Sequence, residues 1–258
     1  MKKIVLPILA TVIAAASISA HADQTVTKKK IDYKNTATPA AVPEAVNPLT
    51  GTFDITSNYV FRGISNSNNL PAVQGGLTYT FHSTGIYFNI WGSNVNFADP
   101  QGNTATLEFD AIAGIANSIG EHFSYDINFD RYNYPKTASS YYEAIANAKW
   151  YFVTAQIGFS SNVFGYHGNG TYYNLGVNYD VPPDYAFGLD NVNVKGGVGH
   201  YSLPKSKGLS SYNDYLVQVS KGIGIYNLAV AWTDTNYRSV DLNPVKGSTL
   251  IGTVTANF

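Results

Sequence analysis

The stretch that decides the fold is Thr52–His82, TFDITSNYVFRGISNSNNLPAVQGGLTYTFH. Apolar and polar residues alternate on both sides of a central segment rich in Asn and Ser. Such alternation places successive side chains on opposite faces of a β-strand. We therefore predict one long β-hairpin with an apolar face and a polar face. The apolar face comprises Phe53, Ile55, Tyr59 and Phe61 before the turn and Val73, Leu77, Tyr79 and Phe81 after it.

The predicted strands are long, about ten residues each, whereas strands of soluble proteins are most often about 5–6 residues. Tilted strands of about 9–11 residues cross a bilayer in outer-membrane barrels, with apolar side chains towards lipid and polar ones towards the lumen. The hairpin is therefore typical of a membrane-spanning β-barrel.

The same alternation recurs to the end of the chain and gives twelve predicted strands. After the first hairpin they are Gly85–Phe97, Thr104–Ala116, Phe123–Tyr134, Tyr141–Lys149, Phe152–Ser160, Tyr172–Asp180, Val192–Ser202, Tyr212–Ser220, Ile225–Asp234 and Ser248–Phe258. Bacterial single-chain barrels have an even number of strands. The predicted fold class is an all-β, transmembrane, antiparallel barrel of 12 strands with short periplasmic turns and both termini periplasmic.

Loop composition supports this topology. Every second connection is rich in Asn, Ser, Gly or Pro, at 65–71, 98–103, 135–140, 161–171, 203–211 and 235–247. These six segments are predicted as external loops, because external loops are longer than periplasmic turns in such barrels. Residues 181–191 form one longer periplasmic turn, and the turn near Lys149–Tyr151 lacks Gly and Pro.

The N-terminus predicts export. Lys2 and Lys3 precede an apolar run that ends in Ala20-His21-Ala22. This pattern is typical of a signal peptide, residues 1–22, cleaved after Ala22. Residues 23–50 lack periodicity and are predicted as a flexible periplasmic arm, and residues 51–258 as the outer-membrane barrel.

Composition restricts the classes of function. The chain has no cysteine, so we expect neither a disulfide framework nor a thiolate metal site, and we predict no cofactor. Without the two lysines of the signal peptide, fourteen basic and seventeen acidic residues remain. This balance disfavours a nucleic-acid partner.

Charged residues on the polar parity are the candidate site. If the apolar parity faces lipid, they line the lumen, and their acidic excess favours cations. The alternative is a packed, closed lumen in which Arg62 and Lys149 pair with carboxylates. We predict Glu143, Glu108 or Asp130 as partners of Arg62. The lumen candidates are Asp54, Arg62, Gln74, Glu108, Asp110, Asp126, Asp130, Glu143, Lys149 and Lys195.

Aromatic residues are predicted mainly as interfacial girdles or as part of the lipid face. The aromatics assigned to this role are Tyr59, Phe61, Tyr79, Phe81, Tyr125, Tyr142, Tyr173, Tyr179, Trp232 and Phe258. Those at loop ends, Tyr132, Tyr134, Tyr166 and Tyr212, could instead stack on a sugar or nucleoside, although girdle membership is the favoured interpretation.

Several blocks resemble the TorF-type family of proteobacterial porins. The most specific is Ser57–Ser65, SNYVFRGIS, followed by Pro71–Gly76, PAVQGG, and the resemblance spans about Thr52–Phe258. It implies an outer-membrane location and a channel for small polar solutes or ions. The terminal Phe258 also resembles the signal read by the barrel assembly machinery, which, with outer-membrane lipids, we predict as a partner.

Two alternatives to a channel remain. One is a closed structural barrel. The other is a lipid hydrolase, because His200-Tyr201-Ser202 has the Ser and His spacing of twelve-stranded outer-membrane phospholipases, with Asn213 on the next predicted strand. The surrounding motif of those enzymes is absent, so we predict no enzyme. His82, His122 and His167 have no partnered spacing, and we predict no metal site.

Overall fold

A computed structural model describes residues 47–81, 84–99, 101–237 and 248–258 of the chain. The predicted signal peptide, most of the predicted arm, His82 and most of the 235–247 loop lie outside these residues. The arm prediction extended to residue 50, but Leu49 and Thr50 already belong to the first strand.

Twelve strands form a closed antiparallel barrel in which neighbours along the chain pair and the first strand closes onto the last. This confirms the predicted fold class. The barrel strands are β1 (Leu49–Thr56), β4 (Ala72–Phe81), β5 (Ile86–Ala98), β6 (Thr104–Ile119), β7 (Phe123–Asn133), β8 (Tyr141–Trp150), β9 (Val153–Ser160), β10 (Gly170–Val181), β11 (Val192–Ser202), β12 (Tyr212–Ile223), β13 (Tyr226–Thr235) and β14 (Thr249–Asn257).

The closing pair brings the two chain ends together. Thr52 lies opposite Asn257 and Thr56 opposite Thr253. The backbones of Gly51 and Phe258 exchange two hydrogen bonds, of 2.6 and 3.0 Å. We call this end of the barrel the inner end and the opposite end, which carries the longer loops, the outer end.

The two faces of the wall separate as the alternation predicts. Large apolar side chains on every barrel strand except β11 are exposed on the outside, among them Phe53, Leu77, Phe88, Phe129, Leu175 and Val230. The predicted girdle members Tyr79, Phe81, Tyr142, Tyr173, Tyr179, Trp232 and Phe258 also lie there. Trp91, which shares the polar parity of β5, points inwards and is buried.

The first hairpin departs from the prediction at its outer half. β1 ends at Thr56, and residues 57–71 fold into the barrel instead of continuing its wall. A two-stranded hairpin, β2 (Val60–Phe61) and β3 (Ile64–Ser65), forms within them. Tyr59 and Phe61 are 3% and 5% exposed, so their assignment to the lipid face or a girdle is wrong. We call residues 57–71 the lumen plug.

Short 3-10 turns at Val163–Gly165, Pro183–Tyr185 and Lys205–Lys207 shape the remaining connections. The turn between β8 and β9 forms without Gly or Pro because Tyr151 adopts a positive φ of 53°. Among the described residues, no helix has the length and apolar character needed to cross a membrane.

Candidate functional site

The lumen plug is a compact unit held by its own Asn and Ser side chains. Asn58 Oδ1 accepts hydrogen bonds from the hydroxyls of Ser65 and Ser67, at 2.6 and 3.1 Å. The backbone N–H of Tyr59 donates to Ser67 Oγ at 2.9 Å, and that of Asn66 donates to Tyr59 O at 2.8 Å. Asn58 is 5% exposed, so these bonds satisfy polar groups that burial would otherwise leave without water.

Arg62 sits at the tip of this unit and joins it to the wall. Its guanidinium donates two parallel hydrogen bonds to Glu143 of β8, both 2.8 Å long. Tyr132 donates a third bond to the same carboxylate at 3.2 Å. Arg62 and Glu143 are fully buried. Bidentate pairing of this kind is among the strongest charge-assisted interactions in proteins.

Aromatic rings enclose the same guanidinium. Its central carbon lies 4.0 Å from the ring centroid of Tyr172, 4.6 Å from that of Phe61 and 5.0 Å from that of Tyr201. Cation–π attraction is stronger when the cation is desolvated. The rings therefore offset part of the cost of removing the Arg62 charge from water.

Two glycines permit this close fit. Gly63 has φ of 76°, and a Cβ there would lie 2.8 Å from the Cβ atoms of both Asp214 and Thr235. A Cβ on Gly158 would lie 2.8 Å from Glu143 Oε1 and 3.2 Å from Arg62 Nη2. The three contacts of 2.8 Å are closer than a Cβ atom tolerates, so the plug and its ion pair depend on glycine at these positions.

Two clusters of buried side chains fill the outer half of the barrel around the plug, and Phe164 packs against both. One cluster comprises Tyr59, Phe61, Ala72, Trp91, Val95, Ala105, Tyr132, Tyr134 and Tyr141. The other comprises Ile64, Val163, Tyr172, Tyr201, Leu203, Leu209, Tyr212 and Tyr237. The outer half of the lumen is therefore packed like a protein core. Tyr132, Tyr134 and Tyr212 belong to this packing and not to an interfacial girdle.

Buried carboxylates surround the plug. Glu108 accepts a 2.7 Å hydrogen bond from Tyr134 and one of 3.5 Å from the Asn66 amide. Asp214 accepts one of 3.2 Å from Tyr172. Asp110 and Asp130 are equally buried, and Arg62 is the one buried base among the described residues. The plug thus brings a single positive charge into a strongly acidic wall.

The inner half of the lumen is polar and partly exposed. Asp54, Asp126, Lys149 and Lys195 lie there with intermediate exposure. Asp126 is the centre of a network across neighbouring strands, because it accepts hydrogen bonds from Tyr87 at 2.8 Å, Asn128 at 2.8 Å and Asn147 at 3.2 Å. Water can solvate these polar, partly exposed side chains, so the inner half of the lumen can be hydrated.

The predicted lumen candidates therefore divide into two groups. Asp54, Asp126, Lys149 and Lys195 face the polar inner half, whereas Arg62, Glu108, Asp110, Asp130 and Glu143 lie in the packed outer half. Gln74 lies opposite Asp54 in the sheet and is buried. Arg62 is on the plug and not on the wall, and it pairs with Glu143, one of the three carboxylates predicted for it. The predicted acidic excess does not line open lumen in this structure, because Glu108, Asp110, Asp130 and Glu143 are buried. A pore-lining role stays a prediction.

Sequence reasoning missed the plug residues as a functional unit. Only the unusual run of Asn and Ser with Gly63, between Ser57 and Asn69, signals that this segment is more than a loop. Positive φ angles at Arg62, Asn68 and Asn69 agree with that composition. Asn and Gly adopt such angles more readily than other residues.

A small recess of about 40 Å³ opens beside the plug at the outer end. Tyr134 and Tyr166, both considered above as stacking residues, line it together with Phe61, Ile64, Phe97 and Phe164. It has room for about one or two waters and not for a sugar ring. Among the described residues, no group of acidic and histidine side chains is arranged to hold a metal ion.

The candidate hydrolase residues lie on the outer wall, away from the lumen. His200 pairs in register with Asn213, and His200 Nδ1 is 2.8 Å from Asn213 Oδ1. Ser202 lies two residues further along the same strand, and both His200 and Ser202 are exposed. His122 lies at the turn before β7 and stacks on Tyr151.

These features define a class of protein, a closed twelve-stranded β-barrel with an apolar exterior and a polar, plugged lumen. The family model described as "Bacterial protein of unknown function (Gcw_chp)" matches residues 40–258. The chain belongs to this family. The family match does not carry the TorF name, so that resemblance remains a prediction. No curated protein matches the sequence.

Three solved structures match this chain at low sequence identity. A structure titled "KdgM porin" has 8% identity and a TM-score of 0.50, and the match covers 81% of this chain and 98% of that one. A NanC porin structure has 9% identity and a TM-score of 0.49, with coverage of 81% and 98%. OpdK from Pseudomonas aeruginosa has 11% identity and a TM-score of 0.41, with coverage of 83% and 68%. The KdgM match supports the barrel architecture.

Proposed function

We propose that this protein is an outer-membrane channel for small polar solutes or ions, closed at its outer half by the lumen plug in the state described here. The observation that carries the proposal is the contrast between the two halves of the lumen. The inner half is polar and partly exposed, whereas the outer half is filled by a segment of loop origin and not by the wall.

The exterior supports an outer-membrane location. Large apolar side chains are exposed on every barrel strand except β11, which would be unfavourable in water but favourable in lipid. The solved KdgM porin shares the barrel architecture. The C-terminal strand ends in Phe258 beside β1, which agrees with recognition of this strand by the barrel assembly machinery.

Passage requires the plug to move. The plug is part of a connection between β1 and β4, which pair directly with each other along Leu49–Thr56. Its removal therefore leaves the pairing of β1 with β4 in place, although the backbone N–H of Asn96 on β5 loses its acceptor, Asn66 O. Asn58 Nδ2 and Asn69 Oδ1 are 3.1 Å apart, so a short linker can join these two positions.

The test is planar-bilayer recording of the wild-type protein and of a variant in which residues 59–68 are replaced by two glycines. We expect small or rare openings from the wild type and a larger, sustained conductance from the variant. Heat-modifiable migration in detergent serves as the control for barrel formation. A variant that folds but does not conduct would establish the closed structural barrel instead.

A further inference from the structure

We propose that a Ser–His–Asn site on the outer wall, formed by Ser202, His200 and Asn213, hydrolyses acyl esters of membrane lipids. The site faces lipid and is separate from the lumen, so it does not depend on the channel function proposed above. It also revises our expectation from sequence that the protein has no enzymatic activity.

The histidine is oriented for general-base chemistry. The contact of 2.8 Å between His200 Nδ1 and Asn213 Oδ1 assigns the proton to Nδ1, because the amide oxygen only accepts hydrogen bonds. Nε2 is then the nitrogen that can accept a proton. The backbone of Asn213 is held in place, since its N–H donates to Asn236 Oδ1 at 2.7 Å. A nucleophile, a base and a group that orients the base are the parts of a catalytic triad.

The nucleophile lies within reach of this base. Ser202 and His200 share one face of β11, and residues two apart on a strand are separated by about 7 Å between Cα atoms. An imidazole and a hydroxymethyl group can close that gap by rotation about their side-chain bonds. Catalytic hydrogen bonds are often longer in the free enzyme than in the substrate complex.

The surroundings suit a lipid ester. Tyr173 lies beside His200 in the sheet, and exposed Leu175 and Val177 continue the lipid-facing surface of β10 towards the inner end. Three residues after Ser202 the chain enters the exposed turn Lys205–Lys207, which carries two positive charges. Acyl chains would lie along the apolar wall and anionic headgroup phosphates near the lysines, which places the ester at the level of Ser202.

The reaction is an acyl transfer to water. Ser202 Oγ bonds to the ester carbonyl carbon while its proton passes to His200 Nε2. The carbon–oxygen bond to the lipid alcohol then breaks, and the alcohol takes that proton. Water attacks the acyl-serine, gives a proton to Nε2 and releases the fatty acid, after which Nε2 returns the proton to Ser202. Asn213 stabilises the imidazolium formed in both halves of the reaction.

The experiment measures fatty-acid release by the purified full-length protein and labelling of its serine by a fluorophosphonate probe. Vesicles of phosphatidylethanolamine and vesicles that contain lipopolysaccharide distinguish the two sources of ester. We expect release and labelling for wild type, loss of at least 100-fold in Ser202→Ala and His200→Ala, and a smaller loss in Asn213→Ala.

Ser210→Ala, at an exposed serine of the neighbouring loop, is the matched control and should keep full activity. Heat-modifiable migration establishes that each variant is folded. The proposal is overturned if folded wild type neither releases fatty acid nor reacts with the probe, or if Ser202→Ala retains both properties.

Discussion

Arg62 and Glu143 form the ion pair on which the closed state depends, and removal of one partner has a predictable effect. Arg62→Ala leaves a buried carboxylate without its partner, which typically costs about 3–5 kcal/mol. We expect the plug to undock more often, so that conductance rises and shifts further towards cations while the barrel still assembles. Single-channel recording under a salt gradient measures both quantities. Identical channels in wild type and Arg62→Ala would show that Arg62 does not control passage.

The matched control removes both charges. The double variant Arg62→Met, Glu143→Leu replaces the ion pair by apolar side chains of similar length, a change that is often neutral or stabilising. We expect it to remain closed, unlike Arg62→Ala. Equal conductance of the two variants would show that loss of the Arg62 charge is enough to open the channel. Our explanation, that an unpaired Glu143 carboxylate destabilises the closed state, would then be wrong.

A substitution at Gly158 provides a second test of the role of the ion pair in the closed state. In Gly158→Ala the new Cβ would lie 2.8 Å from Glu143 Oε1 and 3.2 Å from Arg62 Nη2, so the ion pair must shift. We expect a higher open probability in bilayer recordings. Gly252→Ala is the control, because a Cβ there meets no atom within 4 Å. An equal effect of both substitutions would contradict the role of close packing at Gly158.

The lumen plug also determines the net charge of the side chains that surround the lumen. Its deletion removes the one buried base among the described residues and leaves Glu108, Asp110, Asp130, Glu143 and Asp214 around the lumen. We expect the deletion variant described above to prefer cations, because rings of carboxylates select cations in channels. The reversal potential in a potassium chloride gradient measures this preference. An anion-selective or unselective variant would contradict the prediction.

Asp99 connects two outer loops through hydrogen bonds whose strength depends on the ionisation of its carboxyl group. It accepts backbone hydrogen bonds from Gln101, Asn103 and, across to the next loop, Ala138 at 2.8 Å. Burial raises the pKa of this carboxyl, but the hydrogen bonds from the Asn103 side chain and from these backbones outweigh it, so the pKa lies below its ordinary value.

A lowered pKa means that the ionised form stabilises the folded loops. This contribution is complete above the ordinary pKa of aspartate and is lost as the pH falls through the lowered value. We therefore expect hydrogen exchange at Ala138 to accelerate in acid. In Asp99→Asn the exchange rate, corrected for its intrinsic pH dependence, should not change across the same range. Equal pH profiles in the two proteins would exclude Asp99 as the source.

The stability of the whole barrel depends on which face of each strand meets lipid. Leu77 is exposed on the outside near the middle of β4, whereas its neighbour Thr78 points inwards. Leu77→Arg should destabilise the folded barrel by about 2–4 kcal/mol if position 77 lies near the membrane midplane. Thr78→Arg should cost less, because its side chain can extend into the polar inner lumen. Urea-dependent folding into vesicles measures both, and equal penalties would contradict the assignment of faces.

The strands, their number and the face that each presents outwards can be predicted from the amino-acid sequence alone. Alternation is a local property with a period of two, so Leu77 and Thr78 can be assigned to opposite faces without knowledge of any partner strand. Closure of the barrel followed from the even number of strands and the sorting of long and short connections.

The inward path of residues 57–71, in contrast, is evident only from the folded structure. Tyr59 and Phe61 continue the alternation of Phe53 and Ile55, and an apolar side chain is stable both in lipid and in a packed lumen. Parity therefore cannot distinguish these two locations. The inward path depends on contacts between distant segments, above all between Arg62 and Glu143, which are 81 residues apart in the chain. Such contacts have no local signature, because they exist only once the wall has closed around the plug.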